Sequence, residues 1–225
     1  LAQVYVPLNA EYRSYDSKPY CITRQGNAEE MIRHWLSNAT NSRLALLADY
    51  GSGKTTFCRH IAALLSQEYL ETERNGYYEN RIPLLIPLLE FAKAPFELES
   101  YLVAYLQKHC KVNNPDFNAL MKMAEAGLFV FILDGFDEMA SRAIIDTLQK
   151  NIALFEQLAR LPRNKVLLTA RPEYFMNYSQ EQQILRSYPR LYLQHFNDKQ
   201  INLYLQQRIP LIKQHMGDEI QDWTY

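Results

Sequence analysis

Apolar residues along this chain follow two rhythms. Short, mostly unbroken apolar runs stand at 44–47, 82–91, 128–133, 165–169 and 191–193. Runs of that length without alternation are what strands buried on both faces require. Pro83 and Pro87 limit the second run to a short strand with a bend at its exit. Between the runs, apolar positions recur three and four apart, as on one face of a helix. Met31, Ile32, Trp35 and Leu36 predict a helix over 28–37, opened by the cap-like Asn27-Ala28-Glu29-Glu30. Phe57, Ile61, Leu64 and Leu65 predict the buried side of a helix over 56–66, with Cys58 and Ala62 beside them. Leu98, Tyr101, Leu102, Tyr105 and Leu106 mark another after Pro95. Asn114-Pro115 predicts the start of the next, whose inner face is Phe117, Leu120, Met121 and Ala124 and whose end is Gly127. A helix over 142–159 and a last one capped by Asn197-Asp198-Lys199-Gln200, with Ile201, Tyr204 and Leu205 inward, complete the pattern.

Strands alternating with helices over this length predict an α/β fold, a doubly wound parallel sheet flanked by helices. Functional groups in such sheets gather at the carboxyl ends of the strands. Residues 1–26, rich in tyrosine (Tyr5, Tyr12, Tyr15, Tyr20) and carrying Pro7 and Pro19, read as an extended arm packed against the domain. The polar stretch 71–80, with its Asn75-Gly76 turn signal, reads as an exposed loop.

Composition narrows the classes. A chain of 225 residues with 48% hydrophobic and 22% charged residues has the makeup of a globular domain with a sizeable core. A net charge of -1 gives no electrostatic case for nucleic acid or an anionic membrane as partner. Cys21, Cys58 and Cys110 are scattered and lack metal-ligand spacing, and read as reduced thiols of a cytoplasmic protein. No apolar run approaches the roughly 20 residues of a membrane span. The chain begins at Leu1 rather than Met and stops at Tyr225 without an ending signal, so a piece of something longer is expected.

The first apolar run ends in Ala48-Asp49-Tyr50-Gly51-Ser52-Gly53-Lys54-Thr55-Thr56 and feeds a helix. Glycines let backbone N–H groups turn inward around an anion, and the helix adds its positive end. Lys54 reaches β- and γ-phosphates, and the Thr55 hydroxyl takes a Mg²⁺ position. Ala48 stands where the first glycine of this phosphate-loop pattern usually is. The third run ends in Asp134-Gly135-Phe136-Asp137-Glu138. An acid directly after a buried strand beside a phosphate loop is placed to hold Mg²⁺, and Asp134 takes that role. Glu138, supported by Asp137, is placed to orient or deprotonate an attacking water. The fourth run ends in Thr169-Ala170-Arg171-Pro172, where the Arg171 guanidinium reaches a γ-phosphate and reports its presence.

These three motifs, in this order, resemble the NACHT domains of the STAND class of signalling NTPases. The small residue Gly135 followed by an acidic pair two places on is the most NACHT-like detail. The resemblance covers roughly residues 20–208 and implies five core strands in the order 5-1-4-3-2. It implies an N-terminal arm over 1–26, the nucleotide-binding domain over 27–208, and the start of a following helical segment over 209–225. It also implies ATP or ADP with Mg²⁺ as ligands, and an adenine bordered by the segment from Val4 to Leu8. By resemblance, too, the protein is a nucleotide-dependent switch that forms a homo-oligomer with ATP and activates an attached effector. Defence against phage is the setting of similar bacterial proteins. Two other phosphate-loop readings compete: a small-molecule kinase and a scaffold that binds ATP without hydrolysing it. A GTP switch lacks support, because Asn164-Lys165-Val166-Leu167 has no acid where guanine reading needs one.

Overall fold

The computed structural model describes residues 4–14, 21–74, 81–92, 97–173 and 188–216. The apolar runs become strands because each strand buries both faces. In β5 (Phe129–Asp134), Phe129, Phe131 and Leu133 enter one hydrophobic core, while Val130 and Ile132 enter the other. Successive side chains of a strand point to opposite faces, so one uninterrupted run fills two cores. β3 (Arg43–Leu47), β4 (Ile82–Pro87), β6 (Lys165–Ala170) and β7 (Arg190–Leu193) share this character. A 3₁₀ turn, Leu88–Phe91, supplies the bend expected after β4.

The sheet has seven strands in the order β2-β1-β7-β3-β6-β5-β4. Its five parallel members, β7-β3-β6-β5-β4, reproduce the order 5-1-4-3-2. The expected count of five is too small. β1 (Asn9–Ser14) and β2 (Cys21–Asn27) form an antiparallel hairpin within the region read as an arm, and β1 pairs antiparallel with β7. Ala10 is fully buried and Tyr12 packs against the same core, giving β1 the alternation of a strand with one buried face. Tyr15 and Tyr20 lie outside the described residues.

Helices cover both faces. α1 (Ala28–Ser37) and α2 (Lys54–Arg74) pack Met31, Ile32, Trp35, Phe57, Cys58 and Ile61 against one. α3 (Leu98–Lys108), α4 (Phe117–Glu125), α5 (Phe136–Ala140) and α6 (Ile145–Arg160) cover the other. The Asn27 carboxamide accepts from the N–H groups of Glu29 and Glu30 at 2.8 and 3.2 Å, the cap its sequence predicts. Asn27→Ala is expected to lower the unfolding free energy by about 1 kcal/mol, measured as a lower urea midpoint at unchanged slope.

Four boundaries differ from expectation. α2 starts at Lys54 and runs on to Arg74, four residues into the predicted loop. An exposed helix needs no apolar periodicity there, and Gln67 donates to Glu71 at 2.9 Å across one turn. α4 is capped by Asp116, which accepts from Asn118 N–H, while Asn114 has a left-handed φ of 48° in the preceding loop. The helix predicted over 142–159 is α6, which starts three residues later at Ile145, and the short α5 stands before it as a separate helix. α7 (Asp198–Met216) is capped as predicted, Asn197 and Gln200 each bonding the other's backbone N–H at 3.0 Å. Yet Ile201, Tyr204 and Leu205 are 37–42% exposed rather than inward. α7 is held at its start, where the Gln200 side chain donates to the Pro7 carbonyl and Tyr204 packs near Phe196.

β6 is anchored at its beginning. The buried Lys165 ammonium donates to the carbonyls of Trp35, Asn38 and Asn41, at the negative C-terminal end of α1. The opposite end of the same strand delivers Thr169 and, just beyond it, Arg171 to the site.

Candidate functional site

The carboxyl ends of β3, β5 and β6 meet around a cavity of about 330 Å³. Tyr50 to Thr56, Asp134, Asp137, Glu138 and Arg171 all line it, as their positions at strand ends predict. Ala48 and Asp49 are not in its wall. Their carbonyls accept from the Lys54 ammonium at 2.5 and 3.0 Å, so both residues position the lysine.

The loop's shape follows from its glycines. Gly51 and Gly53 have φ of 76° and 88°, a left-handed conformation that L side chains rarely adopt. Gly53 O accepts from Phe57 N–H at 2.8 Å, which starts the hydrogen-bond ladder of α2 directly behind the loop. Ala48 needs no such freedom. It is buried, is absent from the left-handed positions, and donates its N–H to Ala170 O at 3.3 Å. A Cβ fits there, which accounts for the departure from glycine.

Asp134 is the hub. Its Oδ2 accepts from the Thr55 hydroxyl at 2.8 Å, joining residues 79 apart in sequence. Its Oδ1 accepts from the Thr169 hydroxyl at 2.7 Å, and Thr169 Oγ1 accepts in turn from Gly135 N–H at 2.8 Å. Thr169 is fully buried and fixes the carboxylate's orientation. Sequence reasoning missed it, because a β-branched residue in an apolar run reads simply as strand. Gly135, at φ 85°, lets β5 turn at once into α5, which brings Asp137 and Glu138 to the cavity.

Asp137 and Glu138 then part company. Asp137 Oδ2 lies 2.9 Å from Arg171 Nε, whereas the exposed Glu138 faces the cavity. The Arg171 guanidinium also sits over the Tyr50 ring, 5.5 Å from its centroid. Burial pushes the Lys54 ammonium below its ordinary pKa, and Asp137 is the nearby charge that most opposes this.

A second cavity, of about 550 Å³, adjoins the first along Gly51, Ser52, Gly53 and Thr56. Val4, Tyr5, Val6 and Leu8 form one wall, and Gln194, His195, Phe196 and Tyr204 another. Tyr5 stacks on His60 with ring centroids 3.6 Å apart, and His60 meets Glu29 at 3.3 Å. His195 lies 3.5 Å from Asp49, linking the exit of β7 to the loop.

The family model of the NACHT domain matches residues 42–210. This chain belongs to the NACHT family. NACHT domains are P-loop NTPases, which as a class bind nucleotide together with Mg²⁺. The NACHT chain is also 31% identical, over an alignment of 244 residues, to an uncharacterised WD repeat-containing protein of Nostoc sp.. That alignment covers 96% of this chain and 16% of the relative, so the chain spans about one sixth of that protein's length. Among solved structures, the ORC1 protein of Aeropyrum pernix, determined in complex with DNA, superposes with a TM-score of 0.53 at 13% identity. It covers 81% of this chain and 47% of its own, a likeness of fold alone. Among the described residues of the NACHT chain, no helix is long and apolar enough to cross a membrane.

Proposed function

We propose that this NACHT domain binds ATP with Mg²⁺, hydrolyses it slowly, and serves as the nucleotide-dependent switch of a STAND signalling protein. The observation that carries the reading is the meeting of Thr55 and Asp134 at 2.8 Å, beside Lys54 at the start of α2. A hydroxyl and a carboxylate, both oxygen donors, suit a small hard cation. The left-handed glycines before them suit close approach of phosphate to backbone. Thr55 and Asp134 would hold Mg²⁺, which when bound neutralises charge on the β- and γ-phosphates.

The protein's own groups do the rest. Lys54 exchanges the carbonyls of Ala48 and Asp49 for phosphate oxygens, and Thr169 keeps Asp134 aimed at the site. Glu138 accepts the proton of an attacking water from its place on the cavity wall. Arg171 contacts the γ-phosphate. The segment from Val4 to Leu8 borders the base in the adjoining cavity, whose walls suit adenine. This reading divides the chain into an N-terminal segment over 1–26, whose hairpin extends the sheet, the nucleotide-binding domain over 27–208, and a following segment over 209–225, of which 217–225 lie outside the described residues. Oligomerisation in the ATP form and activation of an attached effector, in defence against phage, complete the proposal for the whole protein. The WD repeats of the Nostoc relative support a repeat domain as its sensor.

Titration of the purified chain with ATP, GTP and ADP, with and without Mg²⁺, tests this. ATP is expected to bind more tightly than GTP, and phosphate release to run below about 1 s⁻¹, the low end of enzyme turnover. Tighter binding of GTP would overturn the assignment. So would phosphoryl transfer to nucleosides or sugars that outruns phosphate release.

A further inference from the structure

Lys54, Thr55 and Arg171, which line the cavity, are engaged by the protein itself. Lys54 donates to loop carbonyls and Thr55 to Asp134. Both can share with a ligand, since an ammonium carries three donors and a carboxylate several acceptor sites. Arg171 is held differently. Its Nε sits 2.9 Å from a carboxylate, that of Asp137, whose side chain is only 10% exposed while the Arg171 side chain is 44% exposed. The Tyr50 ring braces the guanidinium from the phosphate loop. A guanidinium pairs with carboxylate and with phosphate through the same planar fork of donors, so the two anions compete for it.

We infer that Asp137 is a resident anion that occupies Arg171 until a γ-phosphate displaces it. The strength of the pair thereby sets how far the site prefers triphosphate to diphosphate. This rests on the nucleotide-site reading above and adds a role for Asp137 that is distinct from water activation. A triphosphate that takes the Nε side of the guanidinium fork breaks the Asp137–Arg171 pair, and its apparent affinity through that contact is lowered by the fraction of molecules in which the pair is closed. A diphosphate does not reach Arg171 and escapes that cost. The displaced Asp137 is not stranded, because Lys54 lies within its field. Asp137 is in this sense a positioning residue, acting through Arg171.

A double-mutant cycle of Asp137→Asn and Arg171→Gln in the full chain tests the inference. The probes are ADP and a non-hydrolysable ATP analogue, each with Mg²⁺, and the readout is the ratio of their dissociation constants. D137N is expected to raise the preference for the triphosphate about tenfold, and R171Q to abolish most of it. In the double variant the D137N gain should vanish. An unchanged ratio in D137N overturns the inference. A gain that persists in the R171Q background also overturns it, since that is a general loss of negative charge. Should D137N fail to fold, the cycle is run with Asp137→Ser. A wild-type chain that binds neither nucleotide sinks the site reading itself, and this inference with it.

Discussion

Lys54→Ala is expected to lower ATP affinity roughly 100-fold. The estimate takes the lysine as one charge-assisted contact to phosphate, worth about 3 kcal/mol when the partner charge is otherwise unmatched. Lys54 donates to two carbonyls of its own loop, so its side chain is already aimed along the loop before any anion arrives. Burial lowers the pKa of its ammonium, an environment in which an anion beside it gains more than it would in bulk water. Isothermal titration of the variant against wild type, with a thermal melt to show that it folds, gives the number. Wild-type affinity in a folded K54A protein would remove the loop from the nucleotide site altogether.

Glu138→Gln is expected to reduce phosphate release 10²–10⁴-fold at saturating ATP, the range for loss of a positioned general base. ATP binding should be retained, because the change alters the acid–base group and keeps its shape. The structure sharpens the choice between the two neighbouring acids. Asp137 is committed to Arg171, whereas Glu138 is exposed on the cavity wall. Turnover at the wild-type rate in E138Q would transfer the role to another group. Loss of turnover in D137N with E138Q unaffected would name Asp137 as that group.

Much of this arrangement is legible in the chain, and for a definite reason. The central parallel strands are buried on both faces, so the sequence from Phe129 to Leu133 carries no polar interruption. The phosphate loop, too, is a local object. Its turn, its lysine and the helix behind it are consecutive residues, and the left-handed backbone at Gly51 and Gly53 needs glycine wherever such a loop occurs. The reciprocal cap of Asn197 and Gln200 is legible on the same grounds, since both partners lie within one turn.

The parts that were not legible depend on neighbours distant in sequence. The hairpin β1–β2 covers the far side of β7, and β1, with only Ala10 and Tyr12 turned to the core, suggests an arm as readily as a strand. Thr169 looks like any β-branched strand residue until β6 is laid beside β5 and its hydroxyl meets Asp134. The inward face expected for Ile201, Tyr204 and Leu205 fails because helical spacing shows which residues share a face, not what that face meets.

Residue order alone therefore determined the α/β alternation and which residue types gather at the strands' carboxyl ends, whereas the order of the five parallel strands was implied by the resemblance to NACHT domains and laid down by the pairing of the sheet. Pairing between those ends belonged to the tertiary structure. Asp134 takes Thr55 and Thr169, Asp137 takes Arg171, and Glu138 keeps to the cavity wall. The physical reason is that spacing fixes side-chain direction within one element, whereas a hydrogen bond or ion pair between elements depends on how strands lie in the sheet. Two adjacent acids on one short helix thus acquire different surroundings, one an ion pair and the other the open cavity.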